Sequence, residues 1–127
     1  MQCWGITDPG CVRTQNQDTY LMEKLDRDSV LCIVCDGMGG AKSGNVASTL
    51  AAQVFVEEVR QNWKQGMDPE EVEQMMRSAV KLANFTVYDQ AMQLEEFSGM
   101  GTTLVALLVQ DQEATIVNVG DSRAYLV

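Results

Sequence analysis

Residues 29–40 read Ser-Val-Leu-Cys-Ile-Val-Cys-Asp-Gly-Met-Gly-Gly, an apolar run followed by an acidic residue and a glycine-rich stretch. The first seven of these residues are almost wholly apolar and predict a central strand that is buried on both faces. Asp36 follows, and a carboxylate at the end of a buried strand is costly to desolvate unless it is paired or bound to a cation. The adjacent glycines let backbone carbonyls approach a ligand, and such oxygens suit Mg2+ or Mn2+. A strand-ending turn, in which Asp36 accepts backbone N–H bonds, explains the same residues equally well.

The flanking sequence predicts strands, then two helices, then strands again. Apolar residues recur at spacings of three and four in the middle of the chain, which is typical of helices with one buried face. Asp68-Pro69-Glu70-Glu71 supplies an N-cap, a first-turn proline and acidic residues for the second helix. The predicted elements are strands at 2–7, 18–24 and 29–36, helices at about 44–63 and 68–94, and strands at 102–109, 114–119 and from 124 onward.

Composition and charge restrict the function before any motif is considered. The 127 residues are 46% apolar, enough for one globular domain, and contain no apolar run of membrane-spanning length and no secretory signal pattern. The net charge of -9 disfavours non-specific binding to nucleic acid or anionic lipid. Histidine is absent from the sequence, which excludes Ser-His-Asp and Cys-His nucleophilic mechanisms and histidine-ligated metals.

Cys32 and Cys35 form a C-x-x-C pattern within the apolar run. Their spacing places the two side chains on opposite faces of a strand, where a disulfide or joint chelation would be strained. We therefore predict reduced, buried thiols.

Two further polar stretches contain candidate functional residues. Arg13 carries a planar cation suited to a phosphoryl group, although a surface salt bridge is the commoner role of a single arginine. Asp18 can cap its own turn, and Asp121 can pair with Arg123 across a turn. Each residue has a structural explanation by itself. The occurrence of all these stretches in one chain favours a catalytic or binding function for them.

Together these stretches resemble the metal-dependent Ser/Thr protein phosphatases of the PPM type, also called type 2C, in their compact bacterial form. The resemblance runs the whole length of the chain and is carried by four groups of residues in order. They are Thr7-Asp8-Pro9-Gly10 with Val12-Arg13 and Asn16-Gln17-Asp18; Val34-Cys35-Asp36-Gly37-Met38-Gly39-Gly40; Met100-Gly101-Thr102-Thr103; and Val119-Gly120-Asp121-Ser122-Arg123-Ala124-Tyr125.

The resemblance implies an α+β fold: part of an α-β-β-α sandwich, with antiparallel sheets, a two-helix hairpin on one face and a two-metal site between the sheets. It implies that Asp36 bridges two Mn2+ or Mg2+ ions, that Gly37 gives a carbonyl ligand, and that Asp121 helps to bind a third, weaker metal. Arg13 would hold the substrate phosphate, and Asp18 would orient a metal-bound water. The implied reaction is attack of metal-activated water on phosphoserine or phosphothreonine, which needs no histidine nucleophile.

The chain departs from the family pattern in length and at two positions. Gln17 stands where some members carry Glu, and Met38 stands where some carry a His proposed as general acid, so protonation of the leaving group would fall to water. Family members are about twice as long, as a complete domain of the usual size range would be. Residues 1–127 are therefore interpreted as the N-terminal half of a catalytic domain whose C-terminal half is absent, and this fragment is expected to be inactive alone.

The resemblance also implies partners and a compartment. We expect phosphoprotein substrates, a cognate Ser/Thr kinase and a cytoplasmic location, with no nucleic-acid or membrane partner. Half a sandwich leaves strand edges and an apolar sheet face uncovered, so self-association or domain swapping is expected. Two other functions stay open, namely a non-catalytic phosphatase-like interaction module that binds through Arg13, and a small acidic metal-binding protein.

Overall fold

The structure, a computed structural model, describes residues 18–38, 43–93, 101–111 and 113–119. The elements are β1 (Asp18–Asp26), β2 (Ser29–Met38), α1 (Ser43–Asn62), α2 (Pro69–Gln93), β3 (Gly101–Thr102), β4 (Leu104–Gln110) and β5 (Glu113–Val119). All strand pairs are antiparallel, in the order β1-β2-β4-β5, and β3 pairs with the end of β2. This α+β arrangement confirms the predicted order of elements. The strands predicted at 2–7 and from 124 onward lie outside the described residues.

The two helices begin and connect as their sequence predicts. The Glu71 N–H donates to Asp68 Oδ1 at 2.9 Å, so Asp68 is the N-cap of α2. The reciprocal bond runs from the Asp68 N–H to Glu71 Oε1 at 3.4 Å and completes a capping box. Gly66 has a φ of +84° in the connection between the helices, a conformation that favours glycine. Within the described ranges, neither helix is long and apolar enough to cross a membrane.

The hydrophobic core lies between the helices and one face of the sheet. Its β2 members are Leu31, Ile33 and Cys35, which alternate along the strand and are at most 1% exposed. Small side chains let the helices approach the sheet closely, and fully buried Phe55 fills the space between the small residues. The helical members of the core are Ala47, Ala51, Ala52, Phe55, Val56, Val59, Val72, Met75, Met76, Ala79, Ala83 and Val87.

The opposite face of the sheet carries apolar side chains that no described element covers. One row crosses all four long strands, because Met22 pairs with Cys32, Cys32 with Leu107 and Leu107 with Ile116. Ile116 is 54% exposed, and Val34, on the same face, is 47% exposed. We call the surface formed by Met22, Cys32, Val34, Leu107 and Ile116 the open face. The prediction that residues 29–36 are buried on both faces is therefore wrong for Val34, whereas Val30 on the same face is 6% exposed and agrees with it. The described helices pack against the other face.

The end of the sheet at the β1–β2 turn is tied to the end of α1. The Trp63 indole N–H donates to Asp26 Oδ2 at 3.1 Å, and the Asp28 N–H donates to Asp26 Oδ1 at 3.0 Å. Desolvation acts to raise the pKa of the Asp26 carboxyl, but hydrogen bonds from Asp28, Ser29 and Trp63 outweigh it and hold the pKa below its usual value. These bonds fix the hairpin against the helical layer.

The strand predicted at 102–109 is divided in the structure. β3 ends at Thr102, β4 begins at Leu104, and Thr103 between them belongs to neither strand. β3 pairs with Gly37 and Met38, whereas β4 pairs with residues 29–34 of β2. The interruption therefore lies opposite Cys35 and Asp36, and Asp36 is the candidate metal ligand that the sequence predicts.

Candidate active site

Asp36 lies near the end of β2, with Asp18 directly opposite it in β1. Because side chains alternate along a strand, Asp36 shares a face with Val34 and Cys32, which is the open face. Asp36 is partly buried. A carboxylate in this position can meet a ligand that approaches the face not covered by helices.

The backbone of Asp36 is held by Thr103. The Asp36 N–H donates to Thr103 Oγ1 at 3.1 Å, and the Thr103 N–H donates to the Asp36 carbonyl oxygen at 2.9 Å. Thr103 is 6% exposed, so both bonds are shielded from water. We call this pair of bonds the Thr103 clamp.

Gly37 continues β2 beyond Asp36. It is buried and pairs with Thr102, and Met38 pairs with Gly101. The alternative interpretation, that the strand ends at Asp36 in a turn, is therefore wrong. Asp36 and Gly37 are instead successive residues of one strand, each held by the Gly101–Thr103 segment.

A hydroxyl contact joins the start of β1 to α1. Thr19 Oγ1 lies 2.9 Å from Ser48 Oγ and 3.4 Å from Thr49 Oγ1. Ser48 is fully buried, so the contact is made inside the protein. It fixes the strand residue that follows Asp18, and thereby the part of β1 that lies opposite Asp36.

Cys35, the neighbour of Asp36, faces the helical core. Burial raises the pKa of the Cys35 thiol to about 12, against a smaller lowering by a hydrogen bond to the Thr102 side chain. The thiol is therefore neutral at physiological pH and unsuited to nucleophilic chemistry. Cys32 is half-buried on the open face, and neither Cys32 nor Cys35 forms a disulfide. The predicted placement on opposite faces is confirmed, and the predicted burial holds for Cys35 but not for Cys32.

The described structure brings together part of the predicted site. Asp36 and Gly37 are adjacent, and the register places Asp18 opposite Asp36. Arg13 and Asp121 lie outside the described residues. Within the ranges given above, no three Cys, Asp or Glu side chains are grouped as metal ligands. The donors present, a carboxylate and a neighbouring carbonyl, are of the oxygen type that Mg2+ and Mn2+ prefer, so they fit part of such a site.

An apolar cavity near Thr102 is not part of this site. The cavity, of about 290 Å³, opens between α2 and strands β3 to β5. Its lining includes the core residues Ala51, Ala83 and Leu104, so it lies on the helical side of the sheet. The Asp36 side chain belongs to the opposite face.

Comparison with known proteins agrees with this arrangement of strands and polar residues. A family model described as "Protein phosphatase 2C" matches residues 12–127. The chain belongs to the protein phosphatase 2C family. The α+β fold and the resemblance noted in the sequence are thereby confirmed.

Individual phosphatases of the family align with nearly all of this chain. The serine/threonine phosphatase stp of Listeria monocytogenes is 36% identical over 125 residues, which cover 95% of this chain and 48% of that protein. Protein phosphatase PhpP of Streptococcus pneumoniae is 35% identical, with 96% and 48% covered. The structure of Stp1 from Staphylococcus aureus has a TM-score of 0.81 at 35% identity, with 96% of this chain and 47% of that chain covered. The chain thus spans about half the length of the curated relatives it matches.

Thr102 and Thr103 are the site residues to which sequence reasoning assigned no role. They belong to Met100-Gly101-Thr102-Thr103, one of the groups of residues that carry the family resemblance. Two adjacent hydroxyls at the start of an apolar strand are a usable signal, because hydroxyls there can bond a neighbouring backbone.

Proposed function

We propose that this chain supplies the N-terminal half of a catalytic domain that hydrolyses phosphoserine and phosphothreonine in proteins with the help of divalent metal ions. Membership of the protein phosphatase 2C family supports the reaction class. The observation that carries the proposal at the level of the site is the placement of Asp36 on the open face, beside Gly37 and opposite Asp18.

The proposed residues have separate tasks. Asp36 and the Gly37 carbonyl would hold Mn2+ or Mg2+, with Asp121 contributing to a further, weaker metal. When bound, such ions lower the pKa of water and offset negative charge on phosphoryl oxygens. Arg13 would bind the phosphate through its guanidinium fork. Asp18 would accept a hydrogen bond from the attacking water and so orient it toward phosphorus.

The proposal extends to partners and compartment. The substrates would be phosphoproteins made by a cognate Ser/Thr kinase, in the cytoplasm, where free thiols such as Cys35 stay reduced. The exposed Val34 and Ile116 support self-association of the isolated chain, since apolar surface of this kind is usually buried against a partner. A second copy would cover the open face.

The proposal is tested by completing the domain. Residues 1–127 would be fused to the second half of the Listeria stp phosphatase, and hydrolysis of a phosphothreonine peptide would be measured with Mn2+. We expect the fusion to be active, and Asp36→Asn to lower its rate about a thousandfold, because several kcal/mol of charge stabilisation is lost.

The chain alone provides the matched comparison. We expect negligible hydrolysis of p-nitrophenyl phosphate by the 127-residue protein with Mn2+. Divalent ions need about six oxygen ligands, and Asp36 with the Gly37 carbonyl supplies only part of them.

Asp28→Asn, at the opposite end of the hairpin, is the control substitution in the fusion. A folded fusion that is inactive, or one whose activity survives Asp36→Asn, contradicts the proposed role of this site.

A further inference from the structure

The division between β3 and β4 has a hydrogen-bonding consequence at Asp36. In a regular antiparallel pair, two residues exchange N–H to carbonyl bonds in both directions. Here Thr103 donates its N–H to the Asp36 carbonyl, but the Asp36 N–H goes to the Thr103 hydroxyl instead of the Thr103 carbonyl. The Thr103 hydroxyl oxygen thus accepts the hydrogen bond that the Thr103 carbonyl oxygen would accept in a regular pair.

The Thr103 carbonyl is released from the ladder and bonded elsewhere. Thr102 Oγ1 donates to it at 2.8 Å, and the same hydroxyl lies 3.2 Å from the Asp36 carbonyl oxygen. The two threonines therefore bond the backbone groups at the break in the strand, where an unbonded polar group in a buried position would be costly.

We propose that Thr103 is a positioning residue, which acts through Asp36 and fixes the peptide that presents the Asp36 carboxylate and the Gly37 carbonyl to a divalent ion. This rests on the proposed function of Asp36. The clamp holds both polar groups of the Asp36 backbone, and the β3 pairing holds Gly37 one residue later. The two oxygen donors are thus set by a segment more than sixty residues away in the sequence rather than by a flexible loop.

Two substitutions at position 103 distinguish the effect of the hydroxyl group from the effect of the branched side-chain shape. Thr103→Ser keeps the acceptor oxygen, whereas Thr103→Val keeps the branched shape and removes it. Thr86→Val is the matched control, because Thr86 Oγ1 donates to the Leu82 carbonyl oxygen on α2, far along the chain from Asp36. Thermal unfolding followed by circular dichroism verifies that each variant is folded.

The first measurement needs no metal. Backbone amide hydrogen exchange of Asp36 would be compared with that of Ile33, a fully buried residue of the same strand. We expect Thr103→Val to raise the ratio of the Asp36 rate to the Ile33 rate about tenfold, since a shielded hydrogen bond is lost. Thr103→Ser and Thr86→Val should leave the ratio within about twofold of the wild type. An unchanged ratio in Thr103→Val overturns the clamp.

The second measurement is made on the fusion with the second half of the Listeria stp phosphatase, and it follows the paramagnetic broadening of the Gly37 amide signal as Mn2+ is added. We expect Thr103→Val to raise, at least about threefold, the Mn2+ concentration that broadens the Gly37 signal by half. Thr103→Ser should need nearly the same Mn2+ concentration as the unsubstituted protein. In Asp36→Asn, Mn2+ should not broaden the Gly37 signal selectively. If the exchange ratio rises while the Mn2+ concentration stays the same, the clamp is structural only and the proposed positioning role is wrong. If the unsubstituted protein shows no selective broadening of the Gly37 signal, the proposed metal site is wrong, and so is the positioning role of Thr103. The hydrogen-exchange ratio still tests the Thr103 clamp in that case.

Discussion

The two faces of β2 are built from neighbouring residues of one strand, yet they have different environments. Leu31, Ile33 and Cys35 are at most 1% exposed against the helices, whereas Val34 is 47% exposed on the open face. Both sets are apolar, so composition alone does not distinguish them. The difference teaches that the apolar content of this strand matches two covering layers, of which the described residues provide one.

The residues of the proposed site belong to the open face. Asp36 continues the series of Cys32 and Val34, while its neighbour Cys35 lies on the helical face, and the Cys35 thiol is buried and neutral. A carboxylate on the helical face would be desolvated by the core. Under the proposed function, one side of β2 contributes to stability and the other side carries the site residues, and the two sides are expected to respond differently to substitution and labelling.

The largest contrast is expected in thiol reactivity. The pKa of the Cys35 thiol is about 12, so its reactive thiolate is scarce, and we expect iodoacetamide to label Cys35 about a thousandfold more slowly than an ordinary thiol at pH 8. Half-buried Cys32 should react faster than Cys35. Peptide mass spectrometry of the folded protein measures both rates.

The pH dependence sharpens this contrast. Between pH 7 and 10 the Cys35 rate should rise in proportion to hydroxide without levelling, because its pKa lies above this range. Labelling in urea is the control, in which the two cysteines should become similar. Equal labelling in the native state contradicts the assigned faces.

The next contrast is in stability. Ile33→Ala should lower the free energy of unfolding by about 3 kcal/mol, since it opens a cavity against the helices. Val34→Ala, one residue away, should cost less than about 1 kcal/mol because nearly half of Val34 is exposed. Urea unfolding followed by circular dichroism measures both, and similar losses would mean that a second layer covers Val34 in solution.

Much of the fold was predictable because its signals are local. The capping residues Asp68 and Glu71 form the expected bonds, and α2 ends at Gln93, one residue before the predicted limit. The exposure of Val34 was not predictable, because an apolar residue in a strand does not specify which layer covers it. A break at Thr103 likewise depends on Asp36, which is distant in sequence and adjacent in space.

The candidate site was predictable in part for the same reason. Asp36 and Gly37 stand out because an acid and a glycine follow an apolar run, and their neighbours in sequence reveal them. The register that sets Asp18 opposite Asp36 depends on the short hairpin and on a one-residue irregularity between Lys24 and Asp26, without which Asp18 would lie opposite Gly37. The roles of Arg13, Asp18, Asp36, Gly37 and Asp121 remain predictions from the family resemblance.

Self-association gives a third comparison, between the open face and the outer surface of α2. Both carry exposed apolar residues, Val34 and Ile116 on the sheet and Phe85 on the helix. We expect Val34→Lys with Ile116→Lys to raise the dissociation constant at least about tenfold, or 1.4 kcal/mol, by placing charges in the association surface. Phe85→Lys should change it by less than about twofold.

Light scattering over a concentration series measures these dissociation constants. A wild-type protein that stays monomeric at high concentration contradicts association through the open face. A larger effect from Phe85→Lys would assign the association to α2 instead.

The smallest contrast is between the two ends of the β1–β2 hairpin, where Asp26 is bonded to Trp63 at the end of α1 and Asp36 is bonded to Thr103. The pKa of the Asp26 carboxyl is lowered on folding, so its ionised form contributes stability above the unfolded pKa of about 3.9. That contribution is lost as the pH falls through the lower, folded value. Since the carboxyl is solvent-accessible, we expect Asp26→Asn to cost about 1 kcal/mol or less at pH 7, and the difference to shrink toward pH 3. Urea unfolding at both pH values measures it, with Asp28→Asn as the control for turn charge. A cost of Asp26→Asn that stays constant down to pH 3 would show that Trp63 and Asp28 bond the carboxyl without favouring its ionised form.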